Sequence, residues 1–156
     1  MPKINIDDVP WTKWQSPKGK FSSEYKPLSE ALGSPKTPGP GRHPFDVTLE
    51  RLAPGEISAP FHSHAAQWEL FYIVSGTGTV RLRAGNQVVR GGDMIMHPPN
   101  EAHQISNEGP EDLLYFIIAD EPPLDFCEYP DSNKAKLIWR EGFLRPLEAG
   151  YWDGEE

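Results

Sequence analysis

From Phe45 onward, apolar side chains recur at every second residue in short runs that turn chemistry keeps cutting apart. That rhythm leaves little room for any fold except a β-sandwich or β-barrel. The segment FDVTLERL sets the pattern, with Phe45, Val47 and Leu49 on one face. Further strands are expected over 68–75, 78–83, 87–90, 93–97, 102–106, 113–119, 125–129 and 136–140, separated by SGTG, AGN, RGGD, HPPNE, NEGPED and DSNK. Seventeen prolines and fourteen glycines are spread along all 156 residues instead of gathering in one linker, the punctuation of an all-β chain.

The strand WELFYIVS carries apolar groups on both faces. Glu69, Phe71 and Ile73 share one side, and Trp68, Leu70, Tyr72 and Val74 share the other. A sheet with one wet side would alternate with polar residues, so the outer face is expected to lie beneath the N-terminal arm or a partner subunit, and a homodimer built by sheet packing is expected. The arm is residues 1–44, rich in Lys, Pro, Ser and Gly, and its SPKTPGPGRHP stretch suits neither a helix interior nor a central strand. Within it only KPLSEALG can make a helical turn. Trp11, Trp14, Phe21 and Tyr25 still argue for an extended arm packed on the barrel or on a second subunit. Residues 45–141 then form the barrel domain, and 142–156 an acidic tail.

Charge excludes several partners. A formal net charge of -8 offers no basic face to nucleic acid or to an anionic membrane surface. The longest apolar runs, LFYIV and LLYFIIA, fall far short of the ~20 residues that span a bilayer, and no apolar leader run opens the chain. Cys127 is the lone cysteine, so no intrachain disulfide can form and an inert thiol in a reducing compartment is expected. The expected setting is cytoplasmic.

Against that background PFHSHAAQWELFYIVSG is unusual, because it places His62, His64 and Glu69 directly ahead of a core strand. His62 and His64, one residue apart, point to the same side of a strand. Glu69 has the opposite parity and faces inward only if Ala65, Ala66 and Gln67 bend the chain. In GDMIMHPPNEAHQISN, Pro98, Pro99 and Asn100 make a reversal after which His103 and Ile105 share the inward face. Taken singly, each residue has an ordinary explanation, as a hydrogen-bonded histidine or a solvated strand end. Taken together, a carboxylate and a histidine entering apolar strands face desolvation that a cation would relieve. Three imidazoles and one carboxylate suit a divalent transition metal (Fe, Mn, Ni, Co or Zn) better than Ca or Mg.

These two stretches resemble the two sequence motifs of the cupin superfamily. His62, His64, Glu69 and Gly76 fit the first, and Gly92, Pro98, His103 and Asn107 fit the second. Gly55 stands one residue too early for the first motif, and Asn100 replaces a glycine of the second, where it is expected to keep a left-handed turn. The resemblance covers about residues 55–107, and CEYPDSNK and YWDGEE are loosely similar to the segments that follow the barrel in small single-domain cupins. It implies a double-stranded β-helix, or jelly-roll barrel, with His62, His64, Glu69 and His103 at its mouth.

Four ligands around an ion that prefers six leave positions for water, oxygen or substrate. The expected activity is that of a metal-dependent enzyme on a small oxygenated organic molecule, of dioxygenase or sugar isomerase type. In it Glu69 also orients a proton and Gln67 binds the substrate. The alternative is a metal-bearing module that binds a small molecule without turning it over. A phosphosugar would need a cationic grip, and Arg81, Arg83 and Arg90 are expected to point outward, which ranks a phosphorylated substrate lower. His97, beside Pro98, is expected to serve the turn, with the support of a metal-binding residue from behind as the alternative.

Overall fold

The period-two runs of the sequence become antiparallel strands in the computed structural model, which describes residues 1–36, 41–137 and 141–153. In chain order they are β1 (Thr12–Gln15), β2 (Ser22–Pro27), a one-turn α1 (Leu28–Ala31), β3 (Phe45–Leu52), β4 (Ser63–His64), β5 (Glu69–Ser75), β6 (Thr77–Leu82), β7 (Gly85–Arg90), β8 (Met94–His97), β9 (His103–Ser106), β10 (Leu113–Asp120), β11 (Phe126–Tyr129) and β12 (Lys134–Leu137). One six-stranded sheet has the order β1-β2-β3-β10-β5-β8. Two three-stranded sheets, β12-β11-β4 and β7-β6-β9, complete the jelly roll. Backbone pairing is thus divided among three sheets and does not run unbroken round a closed wall.

The large sheet and the β7-β6-β9 sheet enclose the main core: Leu52, Phe71, Ile73, Val80, Ile105 and Leu113, with Tyr115 fully buried among them. Each such aliphatic or aromatic side chain contributes roughly 1.5–3 kcal/mol on burial. The other half of the interior, between the large sheet and β12-β11-β4, holds an open cavity lined by polar and apolar groups together. The antiparallel bridge between His62 and His103 joins the two small sheets where the apolar core ends.

Three positions pin this geometry. Gly76 joins β5 to β6 at a φ of +84, and a Cβ there would lie 2.9 Å from the Leu113 Cα. Asn100 does adopt the left-handed conformation expected of it, at φ 69. The buried Asn107 side chain donates to the carbonyls of Leu52 and Glu111, both at 2.8 Å, and accepts from the Gly109 N–H at 2.9 Å. That clamp ties the loop after β9 to the end of β3.

The arm is more regular than its composition predicts. β1 and β2 extend the large sheet through β3, with Tyr25 paired to Glu50. Ser22, Ser23 and Lys26 are buried, so β2 has no apolar alternation to betray it. The Lys26 ammonium donates to the Ile6 carbonyl at 2.7 Å and lies 5.0 Å from the Trp11 ring centroid, which satisfies its charge. Ile4, Ile6, Val9 and Trp11 cover Val47, Leu49, Leu114 and Phe116 on the outer face of β3 and β10. The strand expected over 136–140 begins earlier, at Lys134, and positions 138–140 lie outside the described residues, as do 37–40 of the proline-rich stretch and 154–156 of the acidic end.

Candidate metal centre

The bend required between His64 and Glu69 is present, at Ala65 and Ala66. Two carboxylates hold it: Asp125 Oδ1 accepts the Ala66 N–H at 2.9 Å, and Asp120 Oδ1 accepts the Trp68 N–H at 2.7 Å. Glu69 therefore opens β5 facing inward with Phe71 and Ile73. A ring nitrogen of His62, one of His64 and a carboxylate oxygen of Glu69 lie within 4.8 Å of one another. His103 reaches Glu69 from β9, its Nε2 2.7 Å from Glu69 Oε2, but stands outside that group of three mutually close donors.

Each histidine is oriented from behind by its Nδ1–H. His62 donates to the Pro60 carbonyl at 2.8 Å, His103 to the Glu101 carbonyl at 3.1 Å, and His64 to Asp125 Oδ2 at 2.6 Å. An oxygen that can only accept fixes the proton on Nδ1 and leaves Nε2 with a free lone pair. The His103 Nε2 and Glu69 Oε2 atoms are both buried, and each has only the other within reach among the described residues. The 2.7 Å between these two electron-pair donors is close to the roughly 3 Å that separates donors on adjacent positions around an ion bound at ~2.1 Å. The donor set fits a divalent first-row cation.

The electrostatics agree. Burial pushes the Glu69 carboxyl up, but contact with His103 and the charges of His64 and His62 outweigh it and hold the group at about 2. Burial, with His103 beside it, lowers His62 to about 4. Glu69 ionised and His62 neutral are the protonation states in which these groups could bind a cation.

A cavity of about 600 Å3 opens over the site, lined by His64, Gln67, Glu69, Asp125 and Cys127 among others. A smaller one of about 170 Å3 reaches His62 and His103, and Glu50 and Glu69 border both. Gln67 lines the larger space, with its amide donating to the Asp120 carbonyl at 2.7 Å. The Cys127 thiol touches His64 at 3.3 Å, and burial pushes it up to about 12. Arg81 points away, closed on Asp131 at 2.7 and 2.8 Å, and Arg83 and Arg90 are exposed. His97 does not serve the turn. It ends β8 opposite Glu69, only 1% exposed, stacked on His103 with ring centroids 4.0 Å apart.

Sequence reasoning missed Asp125 and Glu50. Asp125 precedes a strand 61 residues from His64, and no local pattern marks it. Glu50 left a weak signal. In FDVTLERL it falls on the face opposite Phe45, Val47 and Leu49, where it looks like a solvated residue. The structure turns that face inward.

Residues 48–119 match the family model described as a cupin domain. Auxin-binding protein 1 of Arabidopsis thaliana is 31% identical over 100 residues, covering 58% of this chain and 50% of that protein. The chain spans about half the length of the curated relatives it matches. Among solved structures, a proposed sugar phosphate isomerase of Acidithiobacillus ferrooxidans superposes with a TM-score of 0.78 at 23% identity, covering 90% of this chain and 87% of that one. A sugar phosphate isomerase of Silicibacter pomeroyi does so with 0.74 at 21%, covering 95% and 98%. At such identities these structures speak for the fold alone.

Proposed function

The chain belongs to the cupin superfamily, and on that premise we propose that it is a metal-dependent enzyme acting on a small oxygenated organic molecule, with His62, His64, Glu69 and His103 as ligands. The observation that carries the reading is the approach of Nδ1-anchored His62 and His64 to the half-buried Glu69 carboxylate, with Nδ1-anchored His103 against that carboxylate from β9. Bound there, a divalent cation supplies Lewis acidity toward a substrate oxygen and stabilises the charge that develops on it.

The protein's own residues do the rest. Asp125 and the Pro60 and Glu101 carbonyls keep the imidazoles aligned. Gln67 borders the substrate space. Among the described residues, the lysine and arginine side chains on the larger cavity wall are Arg42, which is closed on Glu121 at 2.7 Å, and Lys136. With Asp46, Glu50 and Glu69 also present, the wall favours an uncharged substrate over a phosphorylated one.

Elemental analysis tests the reading. About one first-row cation per chain is expected, lost on Glu69→Gln or His64→Ala. A folded protein that retains no such metal after loading overturns the proposal. Saturable binding of small molecules by the loaded protein with no turnover would favour the binding module instead.

Two further features complete the proposal. Trp68, Tyr72, Met94, Met96 and Ile118 are exposed on the outer side of β5, β8 and β10, with Val74 exposed at the border of the arm, and a second copy covering them makes a homodimer. No helix among the described residues is long and apolar enough to cross a membrane. The unreactive free thiol of Cys127 suits a cytoplasmic setting.

A further inference from the structure

We infer that Glu50 is the proton carrier of this site, a carboxyl two strands from Glu69 that takes a proton from an uncharged hydroxycarbonyl substrate and returns it at the neighbouring carbon. The inference rests on the functional reading above and names its chemistry.

Register places Glu50. It is paired with Tyr115 on β10 and with Tyr25 on β2, so all three side chains project from the inner face of the large sheet. Tyr115 is fully buried, and its hydroxyl donates to Glu50 Oε2 at 2.7 Å. Among the described residues this is the carboxyl's one hydrogen bond. Glu50 borders both cavities, and Glu69 borders the same two. A structural carboxylate in such a place would be paired with a cation or held by several donors. Glu50 has neither.

The ionisable groups around it are Tyr115 at its hydrogen bond, Tyr25, Glu30, Arg42, Asp46, His64, Glu69, Glu121, Asp125, Cys127 and Lys136 on the larger cavity, and His62 and His103 on the smaller. Burial, moderated by the Tyr115 hydrogen bond and reinforced by the charge of Glu69, raises Glu50 to about 7. A group so poised both accepts and donates protons near neutrality.

The step balances. The C–H bond beside the substrate carbonyl breaks, its proton forms the O–H of neutral Glu50, and its electron pair becomes the C=C bond of an enediolate. The hydroxyl proton passes between the two substrate oxygens. Glu50 then delivers its proton to the former carbonyl carbon, and the molecule leaves with its carbonyl moved by one carbon and its oxidation state unchanged.

The test is deuterium exchange from D2O into dihydroxyacetone and glyceraldehyde by manganese- or cobalt-loaded protein, followed by NMR. Exchange is expected in the wild type, rising with pH. In Glu50→Gln it should fall on the order of 100-fold with kcat and not KM affected, while metal content stays unchanged. Tyr115→Phe removes the bond that favours the ionised form, so its pH profile should shift upward. In metal-free protein, carboxyl carbon-13 titration should find one glutamate near pH 7 that is missing from Glu50→Gln. Exchange that survives in Glu50→Gln, or its absence from the loaded wild type, overturns the role of Glu50. A chain that takes up no metal fails earlier, at elemental analysis, and removes the functional reading with it.

Discussion

His64 Nδ1 lies 2.6 Å from Asp125 Oδ2, a contact that joins the short strand β4 to the start of β11 across 61 residues of sequence. The same carboxylate accepts the Ala66 N–H, so one side chain both aims a ligand and fixes the bend that turns Glu69 inward. Burial pushes the Asp125 carboxyl up, but the bonds from His64, Ala66 and Phe126 outweigh it and keep it ionised. Asp125→Asn should therefore lower metal affinity roughly 10–100-fold while the four ligands remain in place. Titration against a competing chelator would measure the change, and an unaltered affinity would assign Asp125 to the bend alone.

Metal loading should stabilise the fold, because the ligands converge only in the native chain. At a free cation concentration of 100 times Kd the gain is about 2.7 kcal/mol. Thermal melting of wild type with and without added manganese or cobalt should show the rise, and His103→Ala should abolish it. An equal response from both proteins would place the ion elsewhere.

Acid should unfold the metal-free protein early. Burial lowers His62 to about 4 and His97 to about 3, both below the ordinary 6.5. On unfolding these imidazoles take up protons that the native state refuses. Their contribution is therefore complete above pH 6.5 and is lost as pH falls through about 4 toward 3. Denaturant midpoints measured from pH 7.5 down to 4 should fall on that slope, and the slope should flatten in His97→Phe.

Glu50 acts in the opposite sense. Its carboxyl is raised from 4.5 to about 7, so the native state binds a proton that the unfolded chain releases. Stability from this group is complete below pH 4.5 and is lost as pH rises through about 7, by up to roughly 3 kcal/mol. Glu50→Gln should leave stability at pH 4.5 nearly unchanged and raise it at pH 8 in metal-free protein. Chemical denaturation at the two pH values would show the crossover, and a variant destabilised equally at both would assign Glu50 a packing role.

These groups divide sharply in how visible they were. Phe45–Leu52 and the strands from Glu69 to Asp120 were legible because each buries one face, and burial writes itself as period two. The nearness of His62 and His64 to Glu69, and of His103 to Glu69, was legible because these side chains crowd into two short segments around turns with their own signatures. β2 was not, since its buried serines and Lys26 are satisfied by distant partners instead of by apolar packing. Asp125 and Glu50 depend on pairings across 61 and 65 residues, and no window along the chain contains both ends of either. His97 looked like a turn residue because its neighbours are prolines, but its strand register with Glu69 decides where it points.

That register also governs assembly. Leu70 pairs with Met96 and Tyr72 with Met94 across β5 and β8, and Phe116 and Ile118 continue the same outer face on β10. The arm covers only the β3 and β10 side of this face. Met94 is 63% exposed and Met96 50%, on a strand that is also the free edge of the large sheet. An edge carrying bare methionines invites another chain to pair or pack, and a stable interface needs about 800 Å2 from each partner. A single Met96→Lys change places a charge at this surface without touching the interior. Sedimentation at micromolar concentration should find the wild type as a dimer and Met96→Lys as a monomer with an unchanged melting profile at matched metal content. A wild type that sediments as a monomer would leave this face without a self-partner, and a variant that stays dimeric would move the interface elsewhere.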